Sequence, residues 1–445
     1  MSMISTILSC GAAGNKASIN LIEKGIVPLD HVKLLNTTTM DIPDKYKTDS
    51  NIFKLFGRSI SGCGKESSKG RSYMIKAIEE EQIIPEDLIN EDSKEIIIVS
   101  SSEGGSAGGA RVLAKYYDSM NIPIHVFIFI GFGDDARGLS NTLSSFKELP
   151  DNVILHTICN SHFLDYTNNH LKAEQAANDE FAKEVEILLG HKLIPSKQNI
   201  DQMDLYKINT QPGYCVINRV PLNGIKNVEG FNAAVAKVFE DPCYLDNDLS
   251  AKRIAVMINA GRKVQECIDN SYEVIKRYVG TPIEIFQHIQ PDDDSDLVGE
   301  EYIDIIATGM NYPEKPIKDI SAKYNKLKEN LNTTRKSFSD IYSNINLDED
   351  EVDEFNMNIK RKGKAASIED LFGDGSTRVD IPVESVEEAK HEFKRDPVED
   401  IPVENTKEIQ KYKFVNTTVN QSIYAPEYGQ VDVDDDIDNP MFNNN

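Results

Sequence analysis

Short apolar segments alternate with amphipathic stretches through the first 180 residues of the chain. The apolar segments are rich in β-branched and aromatic side chains, and they predict strands at 4–10, 32–36, 95–100, 124–130 and 152–158. Strands that are apolar on both faces are typical of a parallel sheet covered by helices. The alternation therefore predicts an α/β fold built on a Rossmann-like parallel sheet.

A long helix is predicted over 173–190, where Gly190 ends the helical pattern. A second alternating region follows, with strands predicted at 213–218, 253–259, 283–289 and 302–308 and helices near 229–239 and 262–278. It predicts a second, α+β domain. The resulting order is a first domain at 1–172, a central helix at 173–194, the second domain at 195–315 and a C-terminal helix or linker at 316–345.

The composition changes again near residue 345. From 346 to 445 the chain is rich in Asp, Glu, Asn, Lys and Pro and poor in apolar side chains, which predicts a disordered acidic tail. Within it, the sequence Asp-Ile-Pro-Val-Glu at 380–384 recurs at 400–404. Chance repetition in a biased sequence and a duplicated docking motif for a protein partner both explain the repeat.

Charge and cysteine content restrict the protein class. The 445 residues include 48 basic and 73 acidic side chains and carry a formal net charge of −25, which argues against direct nucleic-acid binding because an acidic surface repels phosphates. No apolar run reaches the length of a membrane span, and the N-terminus lacks the positive start of a signal peptide. The cysteines are scattered without a Cys-x-x-Cys pair and the histidines lack ligand spacing, so we expect a cytoplasmic protein with reduced thiols and no zinc site.

A glycine-rich loop directly follows the predicted strand at 95–100 and precedes a helical pattern. It consists of Gly104, Gly105, Ser106, Ala107, Gly108 and Gly109. Glycines let a backbone approach a phosphate, and the free N–H groups at a helix start point towards it. The Lys-Ser/Thr pair of a Walker loop is missing, so backbone amides and the Ser106 hydroxyl would hold the phosphate. A plain tight turn is the alternative interpretation.

Two other predicted loops contain glycines. The loop after the first strand contributes Gly11, Ala12, Ala13 and Asn15. A loop near residue 65 contributes Gly64 and Lys65, whose amine can neutralise phosphate charge. Each loop alone is explained as a strand-to-helix turn or a surface loop, but three of them along one sheet favour a nucleotide site.

Asp201 and Asp204 lie three residues apart, between the long helix and the second domain. If a helix starts there, the two carboxylates share one face of it. Carboxylates placed in this way can orient a water molecule or hold Mg²⁺ near a phosphoryl group. The alternative is ordinary capping at a helix N-terminus.

The order of these motifs resembles the tubulin/FtsZ superfamily over nearly all of residues 1–315. The loops at 11–15 and 103–109 resemble its first and its glycine-signature nucleotide loops, and 132–137 resembles its ribose loop. The sequence Asn199-x-Asp201-x-x-Asp204 resembles its synergy loop, which enters the nucleotide site of the next subunit. Further stretches at 241–251 and 305–309 resemble the second domain of FtsZ, while the eroded motifs and the long tail are more similar to phage or plasmid tubulins.

The resemblance implies further contacts and also shows departures from the family pattern. It implies nucleotide contacts at Asp135, Arg137, Asn160 and Asn178, with Asn178 reading the guanine edge. Glu103 replaces the first glycine of the signature and would add negative charge near the phosphates. Glu174 stands where the family stacks an aromatic ring on the base. Thr38 stands where the second loop of the family has an acidic residue, and the acidic residue nearby is Asp41.

What the resemblance implies is a GTP-binding, filament-forming GTPase with GTP/GDP and Mg²⁺ as cofactors. Subunits would associate head to tail, and Asp201 and Asp204 would complete the catalytic site of the next subunit. Division, DNA segregation or phage positioning would be its role, and the tail would bind a protein partner or an adjacent filament. A nucleotide-dependent polymer scaffold without turnover is the alternative, and a monomeric doubly wound enzyme is a more distant one.

Overall fold

The elements of the first half alternate between strand and helix, as the hydrophobic pattern predicts. The computed structural model describes residues 5–57, 62–196, 198–239, 250–267, 271–291, 297 and 299–333. The first half comprises β1 (Ser5–Cys10), α1 (Gly11–Glu23), β2 (Val32–Asn36), α2 (Asp44–Lys47), β3 (Phe53–Leu55), α3 (Ser67–Glu79), β4 (Glu95–Ser101), α4 (Ala107–Ser119), β5 (Ile124–Ile130), α5 (Ala136–Lys147), β6 (Ile154–Cys159), α6 (Asn160–Thr167) and α7 (His170–Leu188).

The second half contains longer strands, with nine residues each in the strands at 213–221 and 302–310. It comprises α8 (Gln202–Asn209), β7 (Gly213–Pro221), α9 (Val228–Phe239), β8 (Arg253–Asn259), α10 (Arg262–Cys267), α11 (Ser271–Val279), β9 (Glu284–Gln290), β10 (Tyr302–Met310) and α12 (Glu314–Thr333). The segment predicted as a helix at 262–278 is helical at Arg262–Cys267 and at Ser271–Val279, and residues 268–270 lie outside the described residues. The predicted tail at 346–445, and residues 241–249 of the family resemblance, lie outside the described residues.

All ten strands belong to one sheet, in the order β3-β2-β1-β4-β5-β6-β7-β10-β8-β9. Only β10 runs antiparallel to its neighbours, β7 and β8. The predicted parallel α/β sheet is confirmed. The second half extends the same sheet through the pairing of β6 with β7, where Ile154 lies opposite Gly213 and Leu155 opposite Tyr214.

Two helical layers cover the sheet, and the four consecutive apolar residues of β4 contact both of them. Ile96 and Ile98 pack into one hydrophobic cluster with α3 and α4. Ile97 and Val99 pack into the other cluster with α1 and α7. All four side chains are fully buried, because a central parallel strand has no solvent-facing side.

The strand order creates a crevice between β1 and β4. The chain leaves β1 for β2 on one side, and later crosses to β4 on the other side. Helix α1 packs on one face of the sheet and α4 on the opposite face. Ligands of open α/β sheets bind at such a switch point, outside the carboxyl ends of the strands.

Helix α7 connects the two halves of the sheet. Asn169 caps its start by accepting the backbone N–H of Lys172, so the helix begins three residues before the predicted position of 173. Gly190, with φ of 64°, follows its end as predicted. With 19 residues the helix is about 28 Å long.

The segment after β10 returns to the first half of the chain. The Tyr312 hydroxyl donates to the carbonyl oxygens of Asp151 and Val153, and α12 packs against α5. Within the described ranges, no helix combines the length and hydropathy needed to cross a membrane.

Candidate functional site

A cavity of about 470 Å³ lies at the carboxyl ends of β2, β1 and β4, which is the switch point of the sheet. This volume is within the range of small-ligand pockets. The described residues that line it are Gly11, Ala12, Ala13, Asn36, Thr37, Thr38, Met40, Asp41, Gly62, Cys63, Gly64, Ser101, Gly104, Gly105, Ser106 and Ala107.

The N-termini of α1 and α4 both open into this cavity. The residues before them, Cys10 and Ser106, make no side-chain capping bond, and neither first turn contains an acidic residue. In contrast, Asp135 caps α5 by accepting the Gly138 N–H at 2.8 Å. First-turn N–H groups without a capping acceptor favour a bound anion, so the cavity has two helix ends suited to phosphate.

Close packing explains the glycines on and behind the cavity wall. A Cβ atom on Gly105 would lie 2.0 Å from the carbonyl oxygen of Gly64, and one on Gly108 would lie 1.9 Å from that of Ser67. A Cβ on Gly109 would meet the ring of Phe56 at 3.0 Å. Gly105 therefore lets the loop at 62–64 approach the cavity, while the later glycines allow contact with α3 and the core.

Ser106 bonds to the chain that follows β2. Its hydroxyl donates to Asn36 Oδ1 at 2.9 Å and lies 2.9 Å from the Thr37 hydroxyl. The thiol of Cys63 is 3.5 Å from that same Thr37 hydroxyl. These side chains form a polar wall across the β1–β4 crevice.

Asn15 is fully buried and lies outside the cavity wall. Its Oδ1 accepts the Ser9 hydroxyl at 2.9 Å, and its Nδ2 donates to the Leu35 carbonyl oxygen at 3.2 Å. The side chain thus connects α1 to β1 and β2, and fixes the start of α1 beside the cavity.

Lys65 and Arg137 form ion pairs at the edge of the cavity. Lys65 Nζ lies 2.5 Å from Asp135 Oδ2, and Arg137 lies 3.4 Å from Glu66. The hydrogen bond raises the pKa of Lys65 and lowers the pKa of Asp135. The two pairs hold the loop before α3 against the start of α5.

Glu103 is not among the described residues of the cavity wall, although the sequence led us to expect its charge near the phosphates. Its carboxylate accepts the Gly133 N–H at 3.0 Å, and a Cβ on Gly131 would lie 2.3 Å from its carboxyl carbon. Burial raises the pKa of Glu103. Because only glycines leave room for this side chain, it packs into the β5–α5 loop, and the acidic residue on the cavity wall is Asp41.

The predicted base contacts lie near α1 and at the start of α6. Asn178 is half-buried on α7, and its carbonyl oxygen accepts Asn20 Nδ2 at 3.1 Å. Glu174 pairs with Lys16 at 3.4 Å. Asn160 Oδ1 is buried without a hydrogen-bond partner, which suits a donor group from a bound ligand.

Asp201 and Asp204 form a reciprocal capping box at the start of α8. The Asp204 N–H donates to Asp201 Oδ1 at 2.9 Å, and the Asp201 N–H donates to Asp204 Oδ2 at 3.3 Å. Helix α7 starts beside the β5–α5 loop, where His170 contacts Phe132, and extends about 28 Å before the chain reaches Asp201. Neither carboxylate lines the described cavity.

The structure thus brings together half of the predicted binding residues. Those on the wall are Gly11, Ala12, Ala13, Gly64, Gly104, Gly105, Ser106 and Ala107. Those outside the described wall are Asn15, Lys65, Gly108, Gly109, Asp135, Arg137, Asn160 and Asn178. The predicted binding residues did not include Asn36 and Thr37, although the polar residues at the end of strand β2 were a usable signal.

Comparison with known proteins identifies the fold. No protein-family model and no curated protein matches the chain. A GTPγS-bound protofilament of CetZ2 from Haloferax volcanii superposes with a TM-score of 0.58 at 18% identity, covering 75% of this chain and 100% of that one.

Two further solved structures show the same similarity. A GTPγS-form protofilament of TubZ from Bacillus thuringiensis serovar israelensis gives a TM-score of 0.58 at 12% identity, covering 75% of this chain and 95% of that one. An empty FtsZ dimer from M. jannaschii gives a TM-score of 0.52 at 16% identity, covering 69% of this chain and 88% of that one. The chain therefore has a divergent tubulin/FtsZ-like fold.

Proposed function

We propose that this protein binds GTP and GDP in the β1–β4 cavity and assembles head to tail into cytoplasmic filaments that hydrolyse GTP. One observation carries the proposal: two helix N-termini without side-chain caps open into one cavity at the switch point of the sheet. The similar CetZ2 and TubZ structures, described as GTPγS protofilaments, support the same ligand and assembly.

The phosphates would bind at the starts of α1 and α4. Backbone N–H groups of residues 11–13 and 105–107 would donate to them, and Ser106 would add a hydroxyl held in place by Asn36. The guanine would lie towards α7, where Asn178 can pair with a donor and an acceptor of the base edge. Asn160 would contribute its unpartnered Oδ1.

Charge neutralisation requires a cation, because no Lys or Arg is among the described residues of the cavity wall. Asp41 is exposed there beside Thr38, and oxygen ligands of this kind suit Mg²⁺. When bound, Mg²⁺ would neutralise charge on the phosphates. Asp41 and Thr38 would hold it directly or through its water ligands.

Hydrolysis would require a second subunit. Asp201 and Asp204 follow the far end of α7, so they cannot reach the cavity of their own chain. In a head-to-tail contact they would meet the cavity of the next subunit and orient the attacking water. Such a contact joins two different surfaces, and it therefore extends into a filament rather than closing as a dimer.

A nucleotide-dependent scaffold with little turnover is the second candidate. It is favoured by the capping box, because Asp201 and Asp204 already accept each other's backbone N–H groups. A carboxylate used for capping has fewer free lone pairs for water. Filament formation is common to both candidates, and only phosphate release separates them.

Titration calorimetry with GTP, GDP and ATP, together with sedimentation in each nucleotide, tests the proposal. We expect micromolar or tighter binding of GTP, weaker binding of ATP, and a pellet that depends on GTP or GTPγS. Equal binding of ATP and GTP would contradict the guanine assignment. Sedimentation that is independent of nucleotide would contradict nucleotide-driven assembly.

A further inference from the structure

We propose that His288 and Gln290, at the end of β9, position the segment 192–201 and thereby place Asp201 and Asp204 for the reaction. The inference rests on the proposed shared-site hydrolysis. It assigns the two side chains as positioning residues, which touch neither nucleotide nor water. Their role would be to set where the acidic pair stands on the subunit surface.

Gln290 binds the first part of the segment with both ends of its amide. Its Nε2 donates to the Lys192 carbonyl oxygen at 3.0 Å, and its Oε1 accepts the Ile194 N–H at 2.9 Å. The residue is 4% exposed. A buried amide with both groups satisfied by one loop fixes that loop in a single orientation.

His288 binds the last part of the segment, one residue before Asp201. Its Nδ1 lies 3.3 Å from the Ile200 nitrogen, and its Nε2 lies 2.7 Å from Gln290 Oε1. Because a backbone N–H can only donate, Nδ1 must accept, so the ring proton is on Nε2 and is donated to Gln290. The two side chains therefore act as one connected unit, and His288 is 1% exposed.

The backbone of β9 adds a central contact. The Ile289 N–H donates to the Gln198 carbonyl oxygen at 3.1 Å, which forms an isolated antiparallel bridge. Gln198 Nε2 also donates to Gln287 Oε1 at 3.0 Å, but this bond is exposed, so water competes for both groups and the bond does little to fix the segment. The end of β9 thus holds the segment near its start, near its middle and immediately before the capping box.

The segment depends on these bonds because much of it lies at the surface. Lys192 and Pro195 are exposed, and Ile194 is 43% exposed, so few apolar contacts fix its path. Ile200 is buried, and its N–H bond to His288 fixes the peptide that leads into Asp201. A misplacement of about 1 Å in a catalytic group can reduce a rate by about 100-fold.

Three substitutions at one position separate positioning from general stability. His288→Ala removes the bonds to Ile200 and Gln290, whereas His288→Asn places an acceptor oxygen close to the position of Nδ1. His288→Gln instead retains a group near Nε2. Gln287→Ala is the matched control, because it removes an exposed bond from the same strand to the same segment.

Steady-state GTP turnover of the full-length variants, above the assembly threshold, is the test. We expect His288→Ala to lower kcat by about 10- to 100-fold while the KM and the GTP affinity change less than about twofold. His288→Asn should recover more of the rate than His288→Gln, and Gln287→Ala should match the wild type. Hydrogen exchange of the Ile200 amide should rise in the Ala variant and remain slow in the Asn variant.

The possible failures are distinguishable. If the wild type binds no GTP or shows no assembly-dependent turnover, the proposed function fails and the positioning role fails with it. If the wild type turns over normally but His288→Ala retains full kcat, only the positioning role fails. A Gln variant that exchanges the Ile200 amide faster yet keeps the full wild-type rate would also overturn it, even if the Ala variant does not fold.

Discussion

Arg219 on β7 binds Asp304 on β10 through two hydrogen bonds of 2.7 Å each. The same guanidinium reaches Glu186 on α7 at 3.1 Å and lies 4.1 Å from the centre of the Tyr302 ring. Asp304 is 5% exposed. The pair therefore attaches the end of α7 to the second half of the sheet through a buried charge network.

Replacing Arg219 should cost substantial stability. Arg219→Met leaves Asp304 buried and unpaired, which lowers the free energy of unfolding by about 3 to 5 kcal/mol. The double variant Arg219→Met/Asp304→Leu should recover much of the loss, because neither charge remains. Chemical denaturation measures both.

The control for that prediction is Lys318→Met, which removes an exposed pair with Glu314 on α12. Its denaturation midpoint should equal that of the wild type, because solvent screens exposed pairs. A similar loss in the Lys318 and Arg219 variants would show that burial of the pair does not matter.

The predictable part of the fold is the part in which burial repeats along the chain. Strands β2, β5 and β8 match their predicted bounds, because apolar side chains predominate in each of these short segments. Strand β3, at Phe53–Leu55, was not predicted, since three residues are too few to show a period. The strands from β7 to β10 continue the first sheet because β6 pairs with β7. No local sequence pattern predicts this pairing.

The site was partly predictable for a similar reason. Glycine loops after strands are visible in the sequence, and those around Gly11 and Gly104 do line the cavity. Asn36 and Thr37 reach the same cavity because β2 pairs with β1, and the local sequence does not predict this pairing. The position of the Glu103 carboxylate depends on the space left at Gly131, which cannot be read from the sequence. Its charge is therefore not on the described cavity wall, where we expected it.

The Lys65–Asp135 pair should give a pH-dependent difference between wild type and Lys65→Met. The folded pKa of Asp135 is below its ordinary value of 3.8, so the stabilisation is present above 3.8 and is lost as the pH falls through the lower folded value. The folded pKa of Lys65 is above its ordinary value of 10.5, so the stabilisation is present below 10.5 and is also lost as the pH rises through the higher folded value.

Thermal denaturation across pH measures this difference. Because the side chains are 58% and 42% exposed, it should be no more than about 1 kcal/mol at neutral pH. A difference that persists in acid, once Asp135 is protonated, would show that Lys65 stabilises the fold through some other contact.

Ser106→Ala should weaken nucleotide binding by about 5- to 10-fold. The change removes the hydroxyl that bonds to Asn36 and faces the cavity, and one hydrogen bond contributes about 1 kcal/mol. Titration calorimetry with GTP measures the effect. Ser72→Ala is the control, because its exposed hydroxyl bonds only locally to the Ser68 carbonyl oxygen, and equal affinity in all three proteins would exclude Ser106 from the site.

Asn178→Ala should weaken GTP binding by about 10-fold or more and reduce the preference over ATP, because an amide that pairs with the base edge is lost. Competition with a fluorescent GTP analogue provides the measurement. Gln175→Ala, an exposed change one turn earlier on α7, should leave both affinities unchanged. An Asn178 variant that retains the wild-type preference for GTP would place base recognition elsewhere.

In the proposed mechanism, Asp201 and Asp204 act on the nucleotide of a neighbouring subunit. Asp204→Asn is the sharpest variant, because its amide oxygen can still accept the Asp201 N–H while the carboxylate charge is removed. We expect it to bind GTP and sediment like the wild type, but to release phosphate at least about 100-fold more slowly and to form longer-lived filaments.

Phosphate release per subunit, measured as a function of wild-type protein concentration at saturating GTP, tests the claim most directly. We expect a rate near zero below an assembly threshold and a steep rise above it, because the proposed site takes its aspartates from a neighbouring subunit. A rate per subunit that stays constant on dilution into the monomer range would contradict the shared site.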